Sequence, residues 1–140
     1  MKDYICTLVG LTGGFVSMAF GGWNSAITTL LCFMAIDYIT GLIVAGVFHA
    51  SKKTESGTLE SKAGWKGLCK KAVTLLFVLI AHRLDLILGV AYIRDAVVIG
   101  FVTNELISIV ENAGLMGVPL PAVITKAIDV LVSKEEEHDS

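Results

Sequence analysis

Charged side chains are scarce in this sequence. They make up 17% of its 140 residues, against about 25% in ordinary soluble domains, and none occurs between Tyr4 and Ile36. The hydrophobic fraction is 54% and the mean hydropathy is +0.74. The uncharged run could cross a hydrocarbon layer of about 30 Å once or, with a tight turn, almost twice. The composition therefore predicts a single membrane domain over residues 1–140.

Motifs for catalysis and for metal binding are also missing. The sequence contains no GxSxG, no P-loop and no HExxH. Its three cysteines, Cys6, Cys32 and Cys69, match neither a CxxC nor a zinc spacing, and we interpret them as reduced packing residues. The formal charge of −2 does not favour nucleic-acid binding. We expect no enzymatic activity, no cofactor, no metal and no nucleic-acid partner.

Apolar residues are gathered into four segments, 4–20, 25–48, 72–91 and 96–110. No ten-residue alternation is visible, so we expect helices, because an isolated strand cannot satisfy its backbone in hydrocarbon. The turn signals GGWN (21–24) and YIRD (92–95) predict two helical hairpins. The expected fold is an all-α integral membrane protein with four transmembrane helices. The first segment is short for a full crossing and is similar to the apolar run of a signal peptide, but we expect it to belong to the structure.

Positive charge lies mainly between the two hairpins. Residues 49–71 carry six lysines against two glutamates, and the positive-inside rule then places this loop and both termini in the cytoplasm. Part of the loop is expected to lie on the anionic inner surface of the membrane. The residues predicted for that surface are Lys62, Trp65, Lys66, Lys70 and Lys71.

The C-terminal region, 119–140, is predicted to be an amphipathic helix followed by an acidic tail. The two prolines of GVPLP (117–121) end the fourth helix. Apolar residues then recur at helical spacing within 122–132, at Ile124, Ala127, Ile128 and Leu131. The closing KEEEHDS (134–140) is expected to be solvated.

Ionisable residues interrupt the third segment, whose centre reads LLFVLIAHRLDLILG (75–89). Arg83 and Asp85 each cost about 2.5 to 3.5 kcal/mol near a bilayer centre, whereas each Leu, Ile, Val or Phe contributes about 0.3 to 0.6. The segment is therefore nearly neutral towards lipid. In a helix, one face collects most of its polar groups. That face contains Lys71, Thr74, Val78, His82, Asp85 and Gly89.

Two other segments repeat this pattern. Asp37 lies in the second, and the fourth carries a polar face bordered by Glu105. Carboxylates in three helices need partners. These groups either pair inside one protomer or line a water-filled path or an interface between copies; a proton relay from Asp37 to His82 is a third interpretation. The candidate pore-lining or inter-helix residues are Asp37, His82, Arg83, Asp85, Asn104, Glu105, Ser108, Glu111 and Asn112.

Small residues mark candidate helix contacts. Gly10 and Gly14 form a GxxxG in the first segment, and Gly41 lies one turn after Asp37. Such spacing allows two helices to approach closely, within or between protomers.

Three motifs resemble, in order and spacing, the phage holin family that includes the clostridial toxin-secretion holins. They are DYITGLIVAG (37–46), SKAGWKGLCKKAVTLLFVLIAHRLDLILG (61–89) and NELISIVENAGLMGVPLP (104–121). The resemblance implies a homo-oligomer of the bacterial cytoplasmic membrane that forms pores or lesions. These release an endolysin that lyses the host, or in some relatives a large toxin lacking a signal peptide, without necessarily contacting either. The family has no active-site residues to carry over.

Two other functions are compatible with the residues. A small ion or proton channel that depolarises the membrane also needs a polar stripe. A membrane subunit without a pore, which assists a partner, needs only the helix packing.

Overall fold

The structure is a computed structural model and describes residues 1–139. This part of the chain forms five α-helices and no strand. The all-α prediction is therefore confirmed. The helices are α1 (Lys2–Ala19), α2 (Ser25–Gly46), α3 (Ser61–Leu88), α4 (Ile93–Leu115) and α5 (Ala122–Asp139).

Helix α4 is the centre of the molecule. It packs against α2 over the longest interface and also against α3 and α5, while α2 touches α3 less extensively. Leu30 of α2 is fully buried, beside Val78 of α3 and Val98 of α4. Together with Ile27, Met34 and Val102, these residues form the apolar core.

Most buried residues of α2 and α4 follow a coiled-coil type of spacing. In α2 these are Ile27, Leu30, Met34, Asp37 and Val44, separated by three, four, three and seven positions. In α4 they are Val98, Val102, Glu105 and Asn112, separated by four, three and seven positions. Ala45 and Thr103 are buried beside them. Such a seam keeps one face of each helix against its partner. In both helices the seam is apolar in the first half, and its polar residues follow from the middle of the helix onwards.

Helix α2 begins at a capped end. Asn24 has extended backbone angles, and its side-chain oxygen accepts a hydrogen bond from the Ile27 amide at 3.0 Å. Asparagine is among the best residues for this position because it satisfies an amide that has no partner inside the helix. Asn24 is the last residue of the predicted turn 21–24, so α2 begins where the sequence indicated.

The first predicted hairpin does not pack as a pair. Helix α1 buries none of its residues, and it takes part in none of the extensive helix contacts. The buried face of α2 is used against α4 instead. The second predicted hairpin, α3 with α4, does pack, and Gly89 closes α3 with a left-handed φ of 68°.

Helix α3 begins much earlier than predicted. Residues 61–71, expected to belong to the loop, form its first turns, so the loop covers 47–60 only. Gly64 and Gly67 suggested a loop, but both face the side chain of Tyr38 on α2. A β-carbon on Gly64 would come within 3.3 Å of the Tyr38 hydroxyl. These glycines allow the two helices to approach, and lysine, alanine and leucine supply the helix propensity.

The acidic tail is helical as well. Helix α5 extends to Asp139 and packs along α4, with Glu135 against Gly100 and Leu131 against the apolar core. Residues 134–139 are helical and all but Glu135 are exposed, so this stretch is both helical and solvated. Ser140 lies outside the described residues. Glutamate and lysine favour helix, and the glycine on α4 leaves room for the Glu135 side chain.

Among the helices within residues 1–139, one is long and apolar enough to cross a membrane, judged by length and composition alone. This helix is α2, with a mean hydropathy of 2.0. One such helix is weak evidence for a span, because a core helix passes the same test. Helices α3 and α4 combine apolar residues with ionisable ones such as Arg83, Asp85 and Glu105. The four crossings remain a prediction.

The outer surface of the bundle is rich in large apolar side chains. On α3 the exposed set includes Leu76, Phe77, Ile80, Leu84 and Ile87, and α1 exposes most of its own. Soluble monomers rarely expose contiguous apolar surface on this scale. The exterior is suited to lipid or to another protein.

Candidate functional site

A buried ionic triad joins the three central helices. The Lys71 ammonium of α3 donates hydrogen bonds to Asp37 Oδ2 of α2 at 2.7 Å and to Glu105 Oε2 of α4 at 2.8 Å. The side chains of Lys71, Asp37 and Glu105 are 16%, 6% and 9% exposed. Because one cation bridges two carboxylates, the triad carries a formal charge of −1 when all three groups are ionised.

The second oxygen of Asp37 is bound by α4. Ser108 Oγ donates to Asp37 Oδ1 at 2.6 Å, and Asn112 Nδ2 lies 3.1 Å from the same atom. The Asn112 amide also lies 3.2 Å from the Asp37 carbonyl and 2.9 Å from Thr40 Oγ1. Glu105, Ser108 and Asn112 share one face of α4 because they are three and four positions apart. A polar layer of this kind fixes the register of two helices.

The triad lies deep in the bundle. At a rise of 1.5 Å per residue, Asp37 and Glu105 are roughly 18 Å from the first residues of α2 and α4, close to the middle of each helix. If these helices cross a bilayer, the triad lies within its hydrocarbon layer. Charges at that depth are tolerated when they face the interior of the bundle and are paired.

A second polar cluster holds the opposite turns together. Asp85 of α3 accepts hydrogen bonds from the backbone amides of Ile93 at 2.9 Å and Arg94 at 3.0 Å, so it caps the first turn of α4. The Arg94 guanidinium donates to the carbonyls of Gly21 and Gly22 at 3.1 and 2.9 Å. Arg94 thereby ties the turn after α1 to the bundle.

His82 belongs to this second cluster. Gly21 has a positive φ of 82°, and a β-carbon there would overlap the imidazole ring of His82. His82 lies at the end of the bundle with Gly21, whereas Asp37 lies near its middle. The predicted relay between Asp37 and His82 is not a direct contact.

Three of the predicted polar residues lie on the surface. Arg83, Asn104 and Glu111 are exposed, and their side chains form no hydrogen bond or ion pair with another residue of 1–139. Six others, Asp37, His82, Asp85, Glu105, Ser108 and Asn112, lie in the two clusters. The predicted set is thus divided between internal contacts and an exposed remainder.

The predicted packing and surface residues also divide. A β-carbon on Gly10 or Gly14 would meet no other part of the structure within 4 Å, whereas a β-carbon on Gly41 would lie 3.9 Å from the Asn112 side-chain nitrogen. Lys62, Trp65, Lys66 and Lys70 are exposed. Lys71, predicted for the same surface, instead points inward, because one residue further along α3 turns its side chain by about 100°.

Sequence reasoning missed the roles of Lys71 and Arg94. Lys71 was grouped with a polar face, but its carboxylate partners lie 34 positions away in either direction. Arg94 binds backbone carbonyls, and every residue has one, so no residue type in the sequence marks the partners of Arg94. Its position in the YIRD turn was the one available signal.

A cavity of about 330 Å³ opens beside the triad, between α2, the 47–60 loop and the first turns of α3. Asn104 and Glu105 of α4 line it together with Lys53 and Lys70. Within residues 1–139 no group of three or more His, Cys, Asp or Glu side chains is placed to hold a metal ion. The three cysteines are free, and all are exposed, so they do not pack in the core of the chain.

These features define a class of small all-helical protein with an apolar exterior and polar contacts sealed between its helices. The model of the bacteriophage holin family matches residues 14–133, and the chain belongs to this family. The resemblance to phage holins is therefore confirmed. The family is not a family of enzymes, and it indicates a membrane protein.

Several relatives cover most of the chain. An uncharacterized protein of Listeria monocytogenes is 40% identical over 132 residues, which are 91% of this chain and 89% of that protein. An uncharacterized 14.9 kDa protein from the nagH 3′ region of Clostridium perfringens is 34% identical, over 95% and 96% of the two chains. A probable holin of Bacillus phage phi105 is 33% identical, over 77% and 75%. No solved structure matches the chain.

Proposed function

We propose that this protein is a holin that oligomerises in the bacterial cytoplasmic membrane and forms pores or lesions. These release an endolysin, leading to host lysis, or a large toxin lacking a signal peptide. The proposal is supported by the family match over residues 14–133 and by the similarity to a probable holin of phage phi105. Direct contact with the released protein is not required.

One observation carries the mechanism: polar side chains remain unpaired on the surface of largely apolar helices. The triad is satisfied inside the protomer and holds α2, α3 and α4 as one unit. Arg83, Asn104 and Glu111 are left exposed. In lipid these groups are costly, and contact with a neighbouring copy or with water in a lumen relieves that cost. When the density of protomers in the membrane exceeds a threshold, assembly therefore favours an interface between protomers that contains water.

Release of a folded cytosolic enzyme is the expected result of expression. A holin lesion lets a reporter such as β-galactosidase reach the medium, and the variant carrying Asn104→Leu and Glu111→Leu is expected to delay release at equal protein level. A double variant on exposed positions of α5, Thr125→Leu with Glu136→Leu, is the matched control. Reporter release on an unchanged schedule by the Asn104 and Glu111 variant contradicts the polar-surface mechanism.

A small ion or proton channel is the second candidate function. The formal charge of −1 on the triad, near the middle of the bundle, favours a cation or a proton there. The same expression experiment separates the candidates, because a small channel releases potassium and collapses the membrane potential while the reporter stays inside. An accessory subunit without a pore releases neither when expressed alone.

We further propose four crossings by α1 to α4, with the 47–60 loop and both termini in the cytoplasm. Single cysteines at 2, 56 and 138 are then expected to react with a membrane-impermeant maleimide only after cell lysis, and cysteines at 23 and 92 before it. The native cysteines must first be replaced, since all three are exposed. Labelling of position 2 from outside would remove the first crossing.

A further inference from the structure

The cavity between α2, the 47–60 loop and α3 is lined by small, apolar and charged residues together. Gly41, Ala45 and Gly67 add little side chain, and Leu42 and Leu59 add apolar surface. The charged residues of the lining are three lysines and three carboxylates: Lys53, Lys70 and Lys71 with Asp37, Glu60 and Glu105. A cavity of this construction is suited to an amphiphile.

Its lysines are only partly neutralised within the chain. Lys71 is held by the two carboxylates of the triad, but Lys53 and Lys70, which line the same cavity, form no ion pair with another residue of 1–139. Lys62 and Lys66 join them around an adjoining depression, where Glu55 and Glu60 are the acidic residues. Four lysines against two glutamates leave an excess of positive charge at the mouth.

The cavity rim is also suited to a membrane surface. Trp65, adjacent to Gly64 in the lining, is 68% exposed, and Leu59 is 56% exposed. Tryptophan is enriched where the polar headgroups of a bilayer meet its hydrocarbon. In the orientation proposed above, this rim lies at the inner leaflet, where anionic lipids are found.

We propose that the mouth of this cavity, away from the carboxylates of the triad, binds the phosphodiester headgroup of an anionic phospholipid. Lys53 and Lys70 contact the phosphate, and the small residues of the lining accommodate the glycerol. The inference rests on the proposed membrane location but not on lysis. The apolar part of the lining distinguishes a lipid from a free anion, because inorganic phosphate gains nothing from contact with Leu42 or Leu59. The lipid would link the 47–60 loop to α3.

The test measures lipid preference in the purified full-length protein. Detergent-solubilised protein is incubated with equal parts of phosphatidylglycerol and phosphatidylcholine, repurified, and its retained lipids are counted by mass spectrometry. The wild type is expected to retain phosphatidylglycerol preferentially. Each lysine removed is expected to lower that preference by about fivefold, and the variant with Lys53→Gln and Lys70→Gln by more than tenfold.

The matched control changes the same charge elsewhere. Lys126→Gln with Lys134→Gln on α5 removes two exposed lysines and is expected to keep the preference. Equal loss in the control, or an unchanged preference in the Lys53 and Lys70 variant, overturns the site. Displacement of the lipid by millimolar inorganic phosphate would identify a soluble anion as the ligand and overturn the lipid assignment. Reporter release is scored separately, so failure of the holin proposal leaves this readout intact.

Discussion

Lys71→Met is expected to lower the free energy of unfolding by about 3 to 5 kcal/mol, because it leaves two buried carboxylates without a counter-ion. Methionine preserves the length of the side chain, so the loss reports the charge. We expect the variant to accumulate poorly in membranes. Thermal unfolding followed by circular dichroism in detergent micelles measures the effect.

Two comparisons make this result specific. Lys66→Met changes an exposed lysine of the same helix and is expected to stay within about 0.5 kcal/mol of the wild type. Adding Asp37→Asn and Glu105→Gln to Lys71→Met removes the uncompensated charges and is expected to recover part of the loss. Wild-type stability in the single variant would mean that the triad does not hold the helices together.

Asp85→Leu is expected to cost about 3 kcal/mol, because the amides of Ile93 and Arg94 lose a charged acceptor at a helix N-terminus. Asp85→Asn keeps one acceptor oxygen and is expected to lose about half as much. Hydrogen exchange at the first turn of α4, together with thermal unfolding, measures the change.

Asp95→Leu provides the control for the capping role. Asp95 is an exposed acid in the same first turn, and its removal is expected to cost about 0.3 to 1 kcal/mol. If Asp85 instead lined a lumen, Asp85→Asn would change ion selectivity and leave the stability of α4 unaltered. That pattern would contradict the cap.

Much of the fold could be predicted from the apolar segments and the turn signals between them. Asp37, Glu105 and Asn112 were expected on or beside the polar faces of the second and fourth segments, and the structure buries all three in α2 and α4. The carboxylates were expected to need partners because an unpaired charge is costly in an apolar bundle. The cost of an unpaired charge indicates which residues must pair, but not which partners they find.

The parts that could not be predicted depend on contacts distant in sequence or made by the backbone. The glycines at 64 and 67 indicate a loop until Tyr38 of another helix is placed against them. Asp85 was expected to pair inside the protomer or to line a water-filled path or an interface, and it binds the backbone amides of Ile93 and Arg94. The acidic residues after Val132 have no apolar period, so their helix followed only from the neighbouring surface of α4.

Helix α1 has a consequence for how this protein can change over time. Since none of its residues is buried within the chain, exchanging one apolar residue of α1 for another costs the folded bundle almost nothing. Its sequence is therefore free to follow the thickness of the surrounding lipid or the shape of a neighbouring copy. The contacts that stabilise the fold lie in the remainder of the chain, so the sequence of α1 can change without destabilising the bundle.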